Sequence, residues 1–315
     1  MAARATTTTT LPVSGSPVVA LYANATMSTS QASPSTAAAT RIGSQRLSDR
    51  ENTDMAAVSQ ALVEFANSHR QPAAPGIEVV ATPRYQVTLQ PDFPIAGPNS
   101  VAWVRCRGEE AEEVIREARA IIARRGLPVY WILDPGTEPA DFTDHLARHG
   151  VALDSEVAVM VLPIHADLRG PRVEGLEMLD GLADPESFRK ADDVNSEAFG
   201  SASRSFESQE RRRKNQVAAG NRRLLLATVA GEPAGSAGLT LFPPAGAIIN
   251  AGAVLPKFRG RGIYRAMVAA RLEMARAAGA EGLTVWGGEM SAPILARLGF
   301  QTVGWRRFYL DTSAV

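Results

Sequence analysis

The sequence predicts an α+β fold, a mixed sheet flanked by helices and preceded by a partial second copy of the same arrangement. Three observations predict it. Strand-like apolar runs and 3.6-period apolar stripes alternate along residues 101–310. Three consecutive strand-like runs, 224–229, 237–242 and 248–255, are separated only by the turns Gly231-Glu232-Pro233 and Pro243-Pro244. The order strand, helix, Gly, strand, helix, Gly, strand occurs twice. Within it, Leu146-Ala147-Arg148-His149-Gly150-Val151 echoes Leu295-Ala296-Arg297-Leu298-Gly299-Phe300.

Composition sets outer limits. The chain has 315 residues and a formal net charge of zero, which removes any global argument for nucleic-acid or membrane binding. Lysines number only three, Lys190, Lys214 and Lys257, against thirty arginines that are mostly scattered. The single cysteine, Cys106, excludes an internal disulfide framework and a cysteine-based zinc site. No run reaches the ~20 apolar residues of a membrane helix. The start has one early cation, Arg4, and threonines where a signal peptide needs apolar residues, so a cytoplasmic protein is expected.

Taken in order, residues 1–45 are rich in Ser, Thr and Ala and read as a disordered low-complexity tail, with Met27 and Met55 as alternative translation starts. From Ser48 to His69, Met55, Val58, Leu62 and Phe65 form one apolar stripe, an amphipathic helix. The linker Gln71-Pro72-Ala73-Ala74-Pro75-Gly76 closes a segment spanning 46–75. The first copy, 76–168, reads as strand 101–105, helix 109–125, strand 129–133, helix 140–149 and strand 157–164. The second, 169–315, opens with a strand at 175–179, a helix at 185–198 and a basic helix at 208–219. After the three strands come a helix at 262–278, a strand at 283–286, a short helix at 292–298 and one or two strands at 300–310.

Between the third strand and the long helix lies Leu255-Pro256-Lys257-Phe258-Arg259-Gly260-Arg261-Gly262-Ile263-Tyr264. A helix start leaves N–H groups without partners and carries partial positive charge, so this Arg/Gly loop is an anion site. Walker A needs a Gly-Lys pair, and the chain has none. The dinucleotide fingerprint needs a small residue where Arg265 stands and an acid after the next strand, whereas Glu281 precedes it. An Arg-x-x-Gly-x-Gly/Ala loop suited to pyrophosphate remains. The first copy has Arg107-Gly108-Glu109-Glu110-Ala111-Glu112-Glu113 at its helix start, where four carboxylates would repel a phosphate.

Val254 through Gly262, together with Leu298-Gly299-Phe300 after the short helix, resembles the GNAT N-acetyltransferase superfamily in its most recognisable segments. The resemblance covers about residues 170–315. It implies a mixed, mostly antiparallel GNAT-like sheet, with the first copy as a degenerate half in a tandem arrangement. Acetyl-CoA is the implied co-substrate, with no metal. The N–H groups of Arg259, Gly260, Arg261, Gly262, Ile263 and Tyr264 would hold its pyrophosphate, and the edge formed by Ala253, Val254 and Leu255 would pair with the pantetheine arm. Two departures stand out: Tyr264 occupies the last small position of the loop, and Leu295 occupies the place where many family members carry an acidic tyrosine.

The resemblance implies that an amine attacks a thioester and must be neutral to do so. For an amine of pKa about 10.4, roughly one molecule in 2,500 is neutral at pH 7, a penalty of about 4.6 kcal/mol. A base or a desolvating site must offset it, and an N–H near Val254 and Leu255 must meet the carbonyl oxygen. Candidate catalytic residues are Glu289, after the strand at 283–286, and Tyr309 on the last strand, although a capping acid and a core aromatic are the plainer readings. Asn250 is a substrate contact or a bulge residue; Trp286 and Trp305 are pocket or core. The run Arg211-Arg212-Arg213-Lys214 has no interleaved aromatics and reads as a solvated helix face, so nucleic acid is not an expected partner. The expected activity is acetyl transfer to a small-molecule or peptide amine. The alternative is a catalytically silent acyl-CoA-binding regulator.

Overall fold

The computed structural model describes residues 57–314. The tail expected at 1–45 and the first part of the helix expected from Ser48 lie outside them. The described part of that helix, α1 (Gln60–Ser68), is capped by the Ser59 side chain, which accepts from Leu62 N.

Eleven strands form one sheet. The first copy supplies β1 (Glu78–Ala81), β2 (Gln86–Leu89), β3 (Ser100–Ala102), β4 (Val129–Leu133) and β5 (Ala152–Pro163). The second supplies β6 (Leu176–Asp180), β7 (Arg222–Val229), β8 (Glu232–Phe242), β9 (Gly246–Val254), β10 (Gly282–Gly287) and β11 (Gln301–Asp311). Their order is β1-β2-β3-β4-β11-β5-β10-β9-β8-β7-β6. Read outward from the centre, it is a palindrome of equivalent strands, β11 with β5, β4 with β10 and β3 with β9. Only the β3–β4 and β9–β10 pairs are parallel. Each copy's last strand therefore lies inside the other copy: β5 separates β10 from β11, and β11 separates β4 from β5.

The helices are α2 (Ala111–Ala123), α3 (Phe142–Arg148), α4 (Pro185–Ala198), α5 (Phe206–Ala219), α6 (Ile263–Ala277) and α7 (Ala292–Arg297). Strand alternation assigns them to faces. Leu224 and Leu226 of β7 pack on Phe188 and Ala191 of α4, while Leu225 and Ala227 cluster with Met267 of α6. On β5, Val159 and Val161 pack under Leu62 and Phe65 of α1, and Met160 and Leu162 face Val268 and Leu272 of α6. On β4, Trp131 and Leu133 face Val114 and Ile115 of α2. Helices α2, α3, α6 and α7 thus cover one face, and α1, α4 and α5 the other. The six-residue echo falls on the ends of α3 and α7, where Gly150 and Gly299 stop each helix at φ 75° and 94°.

Two strands were missed in the sequence, β1 and β2. Their alternation is present in Gln86-Val87-Thr88-Leu89, but Pro83 and two polar members on a buried face hide it: Gln86 and Thr88 are as buried as Val87. The stretch at 300–310 is a single strand, β11, with two bulges.

Candidate active site

Strands β9 and β10 are paired at Ala247–Leu283 and Ile248–Thr284 and then part. Beyond that point β10 pairs only with β5, and β9 only with β8. The divergence coincides with a bulge in β9, where the register against β8 shifts between Ser236 and Gly238 and Ala251 takes φ 47°. Leu255 N donates to Ala234 O at 2.9 Å, so Leu255 itself is a ladder residue. Antiparallel alternation then turns the N–H and C=O of Val254 the other way, toward the gap. That carbonyl accepts Arg259 Nε at 3.1 Å, and the Val254 N–H remains facing the opening.

After Leu255 the chain makes a 3₁₀ turn, Pro256–Phe258, and then passes Gly260 at φ 76° and Gly262 at φ 84° into α6. These left-handed angles are open to glycine at little cost. Among the described residues, the N–H groups of Gly260 through Arg265 have no hydrogen-bond acceptor. A Cβ at Gly260 would meet nothing within 4 Å, whereas one at Gly262 would lie 2.5 Å from Pro171 Cγ. The loop therefore has an open side at Gly260 and a packed side at Gly262. Arg261 is exposed beside Phe258, and Lys257 pairs with Glu232. The arrangement fits a pyrophosphate: unspent donors, a helix start and cations close by. The Tyr264 ring turns under β9 against Gly252 and Arg271. Burial holds Arg271 down at about 10, opposed by the tyrosine hydroxyl beside it.

On the opposite face from α6, a cavity of about 490 Å³ lies over the parting strands, a size ordinary for small-ligand sites. Asn250, Ala251, Thr284 and Trp286 line it at the gap, α4 and α5 wall one side, and β2, β3 and the end of α1 wall the other. Both copies build it. Its three aspartates are all in ion pairs: Asp192 with Arg212 at 2.5 Å, Asp134 with Arg105 at 2.8 Å and Asp92 with Arg211 at 2.6 Å. The buried Asp192–Arg212 pair is completed by Arg204 and Gln209; losing one partner of such a pair costs about 3–5 kcal/mol. Asn195 lines the same wall, donating to Ser236 Oγ at 3.1 Å while its own Oδ1 is buried without a partner.

The predicted site residues fall into two groups. Ala253, Val254, Leu255, Arg259, Gly260, Arg261, Gly262, Ile263 and Tyr264 form one continuous corner at the gap. Glu289 is exposed in the turn after β10, at the same end of the sheet but outside the cavity lining. Tyr309 does not join them. It sits on β11 in the core with Val129 and Trp131, on the α2 face, opposite the cavity. Trp305 is 52% exposed and belongs to neither pocket nor core. The basic run of α5 is divided: Arg212 is buried on Asp192 and Arg213 is drawn onto Glu210, while Arg211 and Lys214 stay on the solvated face and pair there with Asp92 and Glu210. Sequence reasoning missed His69, Arg222 and Arg306 at the cavity; each comes from a different element, and no spacing signal links them.

A sheet whose parallel strands part beside an anion loop at the next helix start is the GNAT fold. Residues 189–300 match the model of the acetyltransferase (GNAT) family, so the second copy carries a domain of that family. No curated protein sequence matches the chain. Among solved structures, a GCN5-related N-acetyltransferase from Kribbella flavida is similar over 75% of this chain and 90% of its own, with TM-score 0.58 and 15% identity. One from Sphaerobacter thermophilus is similar over 72% and 80%, at TM-score 0.53 and 18% identity. A tandem GNAT protein from the clavulanic acid biosynthesis pathway is similar over 79% and 87%, at TM-score 0.54 and 16% identity. Among the described residues, no helix is long and apolar enough to cross a membrane, and no group of three or more His, Cys, Asp or Glu could hold a metal.

Proposed function

We propose that this protein is an acetyl-CoA-dependent N-acetyltransferase acting in the cytoplasm on a primary amine by direct attack on the thioester. The observation that carries the reading is the pairing of an unspent N–H loop, Gly260 through Arg265, with the gap between β9 and β10. When bound, acetyl-CoA supplies an acetyl group activated as a thioester. The loop holds its pyrophosphate, and the Val254 N–H is turned toward the opening, where a carbonyl oxygen gaining charge would be met. The acceptor enters from the cavity, with Asn250 and Trp286 flanking the gap.

The cavity aspartates are committed to arginines, so the ammonium proton leaves through water, either to Glu289 or directly to solvent. Leu295, fully buried in α7, offers no proton to the leaving thiolate. A thiol of ordinary pKa about 8.5 leaves without one. Isothermal titration with acetyl-CoA, followed by thiol release over an amine panel, tests the reading. Binding with turnover is expected, and no binding at millimolar donor sinks it. A second reading, a silent acyl-CoA-binding regulator, is favoured by Leu295 and by the paired aspartates; binding without turnover on any amine would establish it.

A further inference from the structure

Among the described residues, six arginines and three aspartates line the cavity that receives the acceptor, and those aspartates are already paired. Arg306 is 4% exposed, yet no carboxylate lies within ion-pair distance of it among the described residues. Its Nη2 donates to Ala66 O and Asn67 O at 3.4 and 2.6 Å, at the C-terminal end of α1. Its guanidinium lies 4.8 Å from the centre of the Trp286 ring, which borders the gap. Its Nε is buried with no partner. The nearest influence of opposite sign, Asp134, is held by Arg105.

His69 stands beside this group, its ring 4.2 Å from that of Phe242 and within the field of both Arg306 and Arg222. Its Nε2 is also buried and unpartnered. A buried guanidinium without a counter-ion costs several kcal/mol, and the negative end of a helix dipole offsets only part of that. An anion in the cavity would use the Nε donor and supply the missing charge.

We propose that the acceptor is an amine that also bears a carboxylate, received at the cavity floor by Arg306 with Arg222 and His69 beside it, its amine directed to the gap between β9 and β10. The proposal rests on the acetyltransferase reading. Arg306 is here a binding residue whose donor directions fix the acceptor's orientation, and its bond to α1 makes the amino-terminal helix part of the acceptor site.

The experiment uses the full chain, saturating acetyl-CoA and thiol release. The probes are free α-, β- and γ-amino acids and dipeptides, each beside its carboxamide, with O-phosphoethanolamine beside ethanolamine as the phosphate arm. Rates are corrected for the neutral fraction of each amine. The expected result is a kcat/KM about 10- to 150-fold higher for acid than for amide, the conversion of the ~1.5–3 kcal/mol of a charge-assisted hydrogen bond. Arg306→Met should collapse that ratio to within about threefold, with acetyl-CoA affinity unchanged by titration. A purely structural role would slow acid and amide alike and leave the ratio intact, which overturns the proposal. Should Arg306→Met fail to fold, the wild-type ratio and the Arg306→Lys variant decide. Equal use of acid and amide, or preference for the phosphate, overturns the carboxylate while leaving the acetyltransferase reading intact. Binding of acetyl-CoA without turnover on any amine overturns both.

Discussion

The two copies place the same elements around the sheet centre and finish them in opposite ways. In the second copy the parallel pair stops at Ile248 and Thr284 and the strands diverge. In the first, the pair continues past Ala102 and Ile132 into a closed seam: Glu138 N donates to Val104 O, and Cys106 N to Glu138 O, both at 3.1 Å. Each copy keeps a residue at positive φ where the strand turns aside, Trp103 at 57° and Ala251 at 47°. Both line the cavity, but Trp103 fills its place with a ring gripped between Arg70 and Arg105, Arg70 lying 4.0 Å from it, whereas Ala251 carries only a methyl group. The helix starts diverge in the same sense. Glu110 bonds Arg107, Glu113 and Glu117 bond Arg84, and Glu112 bonds His145 and His149. The comparison teaches that the site proposed for the donor rests on two things at once, an open gap and unspent donors. The first copy has lost both and serves as a wall.

The largest effect should come from separating the copies. The exchange of β5 and β11 means that residues 169–315 alone would leave β10 and β11 facing a missing strand, with Leu283, Val285 and Phe300 no longer packed on Met160 and Leu162. We expect that fragment to be unfolded by circular dichroism. Co-expression with residues 57–168 should restore a soluble, acetyl-CoA-binding pair. A folded, binding 169–315 fragment would show that the exchange is dispensable.

Next in size is to give the second copy the acidic start of the first. Gly260→Asp with Arg261→Glu places carboxylates where the donor's pyrophosphate would sit. Gly260 has open space, and Asp tolerates left-handed φ better than most residues, whereas any side chain at Gly262 would strike Pro171. Titration should show acetyl-CoA affinity reduced by about 100-fold or more, near 3 kcal/mol, with little change in melting temperature. Unchanged affinity would place the donor elsewhere.

Much of this contrast was legible in the sequence, and its limits are physical. The glycines and arginines of the loop, and the carboxylates at the first copy's helix start, are local signals that survive without coordinates. So are the stops at Gly150 and Gly299. The exchange of β5 and β11 was not legible, because an apolar strand carries no mark of which copy it will join. Tyr309 illustrates the same limit: where neighbouring residues such as Phe308 and Tyr309 are buried on opposite faces, only register separates a cavity position from the α2 face. His69 and Arg306 meet through α1, which sequence reading treated as a separate amphipathic segment.

A smaller effect concerns the proton. If it leaves directly to water, log kcat/KM should rise with pH, with a slope near 1, up to the acceptor's own pKa, and Glu289→Gln should change the rate by less than about threefold. A plateau at lower pH that disappears in Glu289→Gln would instead assign the relay to that carboxylate. In the first copy the loop after β4 also carries an exposed acid, Glu138, but its backbone closes the seam, so no gap lies beside it.

The smallest effect is on stability, and it isolates the wall that α1 contributes. Burial first, then the charges of Arg306 and Arg222, hold the His69 imidazole down at about 4 against an ordinary 6.5. The folded protein therefore prefers the neutral ring, and the unfolded chain binds the extra proton between those values. The stabilising preference is fully present above about pH 6.5 and is lost as pH falls toward 4. Allowing for solvent at a partly buried ring, the loss is about 1–2 kcal/mol. His69→Phe keeps the aromatic contact with Phe242 and removes no hydrogen bond, because Nε2 has none. Denaturant titrations at pH 7.5 and pH 4.5 should find the variant close to wild type at the higher pH and more stable at the lower. Identical pH slopes in the two proteins would mean that the ring is not held neutral, and that the cations around it are already balanced without an anionic ligand.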